Sequence, residues 1–173
     1  VLERSDSFCT SRVSKNPLDS SRGEVKSDPE QTPIETPAAW LRWERSDRVL
    51  SGVRFADENL AVAEREMAAD TPAYHTVCFL CQSAAEKYLK GYLIAQGWEL
   101  EKTHDLVALL TRCADYEERF ASLREGGAVL NEYIIAGRYP GDVAYEAIGE
   151  EEAEEAVAIV RRIAEAVQSE LEL

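Results

Sequence analysis

Beyond Pro37 the apolar side chains fall into a helical rhythm. Trp40, Trp43, Leu50, Val53, Leu60, Ala63 and Met67 recur at steps of three, four or seven, with Arg45, Asp47, Arg48, Asp57 and Glu64 between them. That spacing predicts one amphipathic helix. Asp70-Thr71-Pro72 reads as a stop and a restart, with Thr71 as N-cap and Pro72 at the first helical position. A second helix is expected to run to Gln96, closed by Gly97, with Val77, Leu80 or Cys81, Ala84, Tyr88, Leu89 and Tyr92 as its stripe. Thr103 can cap a third helix that holds Asp105 in its first turn, carries Leu106, Leu109 and Leu110, and ends near Ala114. A fourth is expected from about Tyr116 to Gly137, with Gly126-Gly127 as the place for a break and Arg138-Tyr139-Pro140-Gly141 as its end. The last begins near Gly149 with a run of glutamates, which suits the positive end of the helix dipole, and continues through Ala153, Ala156, Val157, Val160, Ile163, Ala164 and Val167. No stretch alternates with period two over strand length. The expectation is an all-α, four- to five-helix up-and-down bundle over residues 38–173.

Residues 1–37 break this pattern. They are rich in Ser, Asp, Glu and Pro and poor in large apolar side chains, so ordering them recovers little of the conformational entropy it costs. They read as a disordered polar arm. No apolar run approaches the roughly 18 residues of a membrane span. The first ten residues also lack the apolar stretch of a signal peptide, so a cytoplasmic, membrane-free protein is expected. The charge balance narrows the partners: 33 acidic against 19 basic residues give a net charge of −14. Such a field opposes non-specific binding of nucleic acid by the whole surface and leaves room for a local basic cleft or a basic partner.

Candidate chemistry is sparse. Cys78 and Cys81 form a C-x-x-C preceded by His75, but inside a helical stretch and without a second ligand pair. Buried thiols are therefore expected, with no metal and no cofactor. Gln82, Glu86 and Lys90 lie four apart and form one polar ridge, with Lys87 beside it. A solvated face with a Glu86–Lys90 pair is the plain explanation. His104 stands at a helix start beside Asp105, where capping alone explains it. Arg138 stands at a helix end, where the dipole favours a cation, and where a guanidinium can also grip a phosphate with two hydrogen bonds.

In combination these residues resemble a known family. The string FLCQSAAEKYLKGYLIAQGWELEKTHDLVALL (Phe79 to Leu110), then NEYIIAGRYP (Asn131 to Pro140), resembles the HEPN domain; ADENLAVAEREM (Ala56 to Met67) matches its first helix. The resemblance implies a five-helix bundle that commonly dimerises and works beside a minimal nucleotidyltransferase, in toxin–antitoxin or nucleotide-handling pairs. It also implies, for many members, a metal-independent ribonuclease whose arginine is followed four to six residues later by histidine. Here Arg138 is followed by Tyr139, Pro140, Gly141, Asp142, Val143, Ala144 and Tyr145, with no histidine.

The expected function is accordingly a binding module rather than an enzyme, with no catalytic residue assigned. Lys87, Lys90 and Arg138 would contact the phosphate of a nucleotide or RNA, with His104 and Tyr139 near base or sugar, and the nucleotidyltransferase as partner. The alternative is an RNA-cleaving toxin that pairs Arg138 with His104 or Asp142. A homodimer is expected either way, since Trp40, Trp43, Tyr88 and Tyr92 exceed what a small bundle needs internally.

Overall fold

A computed structural model describes residues 37–138 and 148–173, with side chains described for 45–133 and 148–173. The described residues form five α-helices: α1 Pro37–Met67, α2 Tyr74–Ala95, α3 Leu106–Ala114, α4 Arg124–Arg138 and α5 Glu150–Leu171. A 3₁₀ turn over Glu118–Leu123 precedes α4, and the described residues contain no strand. The residues of the expected N-terminal arm lie outside those described.

Side-chain pairings give the directions of the helices. Asn59 meets Ser83 and Asp57 meets Tyr88, so α1 and α2 run antiparallel. Glu64 meets Arg161 and Asp57 meets Gln168, so α5 is antiparallel to α1 as well. Tyr133 donates to Glu155 at 2.6 Å, which sets α4 against α5 in the opposite sense. The four long helices thus alternate in direction along the chain, an up-and-down bundle. The short α3 is an insertion. Residues 96–105 return along α2, bringing His104 beside Gln82 and Cys113 beside Leu89, so α3 runs parallel to α2.

The core lies where α2 meets the other helices. Tyr88, Tyr92, Leu89 and Leu93 of α2, Leu106, Leu109 and Leu110 of α3, and Phe120, Leu130, Val160 and Ile163 are all fully buried. Each such leucine contributes about 2 kcal/mol of burial. Tyr88 and Tyr92 are therefore internal. Tyr92 packs on Phe120 with centroids 4.7 Å apart, and the Tyr88 hydroxyl is satisfied by Asp57 at 2.5 Å. These two aromatics give no support to a dimer, and the side chains of Trp40 and Trp43 lie outside those described.

Local signals at helix ends were shifted by tertiary contacts. Helix α2 begins at Tyr74 without a side-chain cap. The turn is tied instead by the Ala73 N–H donating to Glu66 of α1 at 2.9 Å, so Thr71 and Pro72 belong to the turn. Asp105, not Thr103, caps α3, accepting from Val107 and Ala108; Thr103 accepts from the Asp105 N–H. Gly97 closes α2 at φ +92°, as its position in the sequence suggests. Gly149 starts α5, its N–H donating to Glu152 at 2.9 Å.

The expected break at Gly126-Gly127 is absent, and α4 runs straight through the pair. These glycines serve packing. A Cβ on Gly127 would sit 2.6 Å from Leu110 Cδ1, and one on Gly126 2.9 Å from Ile159 Cγ2. The chain changes to α-helix at Arg124 instead, after a 3₁₀ turn held to α5 by Arg119, which donates to the Ala166 carbonyl and pairs with Glu170 at 2.7 Å.

Cys78, Cys81 and Cys113 are buried free thiols. Burial pushes Cys78 up to about 11, and Cys81 and Cys113 up to about 12. No group of described residues is arranged to hold a metal ion, and no described helix is long and apolar enough to cross a membrane.

Two outcomes are expected. Alanine at Gly126 or Gly127, although worth up to about 1 kcal/mol in helix propensity, lowers the thermal midpoint, with a net loss of about 1–3 kcal/mol from overpacking. In a Cys9→Ser background the remaining thiols stay inert to a disulfide reagent at pH 8 and react only on unfolding, as absorbance with and without denaturant shows.

Candidate functional site

The polar ridge of α2 is not a solvated face. The return segment covers it. Gln82, only 6% exposed, donates its amide to the His104 carbonyl at 3.3 Å. One turn on, Glu86 takes two hydrogen bonds, from Lys90 Nζ at 2.8 Å on Oε1 and from His104 Nδ1 at 3.0 Å on Oε2. The Glu86 and Lys90 side chains are 17% and 15% exposed, whereas His104 is 70% exposed. Four-residue spacing put the three α2 groups on one line; the ten residues after Ala95 laid the histidine over them.

The electrostatics follow from that geometry. Burial pushes the Glu86 carboxyl up, but the hydrogen bonds from Lys90 and His104 outweigh it and hold the group below the ordinary glutamate value. An ionised carboxylate only accepts, so His104 Nδ1 carries the proton that Glu86 receives.

A fifth residue, Asn131 of α4, braces the cluster. Its amide nitrogen donates to Asp105 Oδ1 at 2.8 Å and its oxygen accepts the Leu106 N–H at 3.1 Å, which pins the start of α3 to α4. The sequence reading passed over Asn131. The signal available was a poor helix former in mid-helix, a position that such a residue holds when its side chain has a tertiary partner. Arg138 ends α4 seven residues after Asn131. That step returns to the same helix face about 10 Å along the axis. The side chain of Arg138, and Tyr139 altogether, lie outside the described residues.

Lys87 does not join the cluster. It turns back to Ser83, bonding Oγ at 2.5 Å and the carbonyl at 3.2 Å, on the flank where Asn59 of α1 also reaches Ser83. Burial pulls its pKa below the usual lysine value. A groove between α1 and α5, lined by Asp57, Leu60, Glu64, Arg161 and Gln168, is bridged by the Glu64–Arg161 ion pair and the Asp57–Gln168 bond.

The family model of the HEPN domain matches residues 52–170. Two solved structures share the fold. ST0689, an archaeal HEPN homologue, superposes with a TM-score of 0.58 at 28% identity, over 70% of this chain and 96% of its own. TT1696 from Thermus thermophilus gives 0.60 at 30% identity, over 70% and 97%. No curated protein matches the chain.

Glu86→Gln is expected to destabilise the fold at neutral pH and progressively less as pH falls below about 4. A carboxylate with a depressed folded-state pKa stabilises above its unfolded value near 4.3 and loses that contribution as it protonates. Chemical denaturation at pH 7 and pH 3.5 measures both ends; an undiminished difference at low pH would remove the ion-pair explanation.

Proposed function

The chain belongs to the HEPN domain family, and from that membership we propose that it is a helical binding module. It takes the phosphate of a nucleotide, free or presented by a minimal nucleotidyltransferase, at the start of α3, in the manner of a toxin–antitoxin pair. The observation that carries this reading is the convergence of Lys90, His104 and Asn131 from three separate segments, with Arg138 in register on α4. Of these groups the Lys90 ammonium, with three N–H donors and one of them given to Glu86, and the Arg138 guanidinium are the cations that support anion binding on a chain of net charge −14. Arg138 and Lys90 would meet the phosphate, and His104 and Tyr139 the sugar or base. Lys87, held at Ser83, contributes its charge from the flank.

Association into a homodimer is part of the same reading. Phe55, Val62 and Phe79 are exposed. Phe55 and Val62 flank Asn59 along α1, and Phe79 precedes Ser83 by one turn of α2, so all three gather around the Asn59–Ser83 bond. Exposed apolar groups grouped in this way favour burial against a partner.

AMP or ATP at ten times its dissociation constant is expected to stabilise the fold by about 1.4 kcal/mol. That is a rise of several degrees in the thermal midpoint, abolished in Arg138→Ala and reduced in Lys90→Ala. An unchanged midpoint with both nucleotides at millimolar levels, together with failure to hold a purified nucleotidyltransferase, defeats the proposal.

A further inference from the structure

We infer that the first half of α1, residues 37–53, is a docking surface for the same segment of a second copy of this chain, laid antiparallel in the line that α5 leaves empty. This goes beyond the binding reading above and does not depend on it. The segment lies ahead of residue 52, where the match to the family model begins, in all but its last turn.

The gap follows from helix register. Glu64 of α1 meets Arg161 of α5, and Asp57, seven residues back, meets Gln168, seven residues on. A seven-residue step keeps nearly the same face of a helix, so Leu50 and Trp43 continue the stripe of α1 that faces α5. Helix α5 does not reach them. It ends at Leu171, where Glu172 takes a left-handed φ of +53° and the Leu173 N–H closes on the Gln168 carbonyl at 3.1 Å. Leu171 lies three residues past Gln168 and is therefore level with Arg54, three before Asp57. Residues 37–53 thus have no α5 beside them over about 25 Å. Leu50, the first member of the stripe past that end, is 53% exposed, whereas Val49 and Val53 on the α2 side are buried.

The vacant line calls for a helix antiparallel to α1, apolar along one stripe and of matching length. The same segment of a second copy meets all three conditions. A two-fold axis makes it antiparallel and equal in length, and Trp40, Trp43 and Leu50 recur at helical spacing within it. It cannot fold back on its own bundle, because α1 is continuous from Pro37 to Met67. Charge agrees with self-docking. The chain as a whole carries −14, but residues 37–53 hold Arg42, Arg45 and Arg48 against Glu44 and Asp47, a net of +1. Two copies therefore approach through a stretch that escapes the like-charge repulsion of their bodies. This surface is separate from the Phe55, Val62 and Phe79 patch, since Phe55 is turned about 140° from Leu50 around α1. Use of both surfaces builds an assembly larger than a dimer.

The test is light scattering of the full chain across a micromolar dilution series. Trp43→Ser with Leu50→Ser is expected to raise the dissociation constant of this contact by roughly 10²-fold or more. Leu50→Ser alone, at a side chain already in water, moves it in the same direction and keeps the test valid if the double variant loosens α1. Phe55→Ser with Phe79→Ser removes only the other contact, so that variant still forms a dimer, which adding Trp43→Ser and Leu50→Ser abolishes. A wild-type chain that stays monomeric overturns the inference, as does a mass unaltered by the Trp43 and Leu50 changes. Recovery of the wild type, but not of the double variant, on phosphatidylglycerol vesicles with equal masses in solution also overturns it and makes the stripe a lipid-binding surface.

Discussion

Burial of the broad apolar face of α2 against α1, α3, α4 and α5 is the constraint to which the other elements answer. Its stripe is too broad for one partner: Val77, Cys78, Cys81, Ala84, Ala85, Tyr88, Leu89, Tyr92 and Leu93 spread over about half of the helix circumference. One antiparallel neighbour hides about a third of a helix, so α1, α5, α3 and α4 must all pack against it. Small residues set the distances. Gly126 and Gly127 let α4 approach α5 and α3 closely. Where an aromatic ring brings a polar atom inside, a partner is provided, as Asp57 is for Tyr88.

The polar line of α2 sets the second requirement. Gln82, Glu86 and Lys90 cannot be covered by an apolar helix without leaving buried donors and acceptors unpaired, which costs more than the pairing gains. An irregular segment solves this. Residues 96–105 expose backbone groups and a histidine that satisfy the ridge, and Asn131 then locks that segment to α4. The Glu86 carboxylate is stabilised by two donors, and that pairing orients His104.

Five helices, the C-terminal glycine of α2 and the glycine start of α5 were legible because each depends on local geometry. Apolar spacing near 3.6, a glycine at positive φ and a proline that cannot continue a helix all act within a few residues. The readings that failed involved partners distant in sequence. Thr103 looked like the cap of α3 until Asp105, braced by Asn131, took that place. Gly126-Gly127 looked like a break, yet propensity of about 1 kcal/mol per glycine is outweighed by the contacts that absent side chains permit. Tyr88 and Tyr92 looked like surplus surface aromatics, and they are the centre of the core.

The sequence by itself determined which segments are helical, how charged the surface is, and which few residues could carry chemistry, because composition and periodicity are properties of neighbours along the chain. Only the tertiary structure decided which of those residues meet. Glu86 and His104 are eighteen positions apart, and Asp105 and Asn131 twenty-six. Their convergence depends on α3 running parallel to α2 after a return segment. No local pattern encodes that direction: it follows from burying the apolar half of α2 while keeping its polar line hydrogen-bonded.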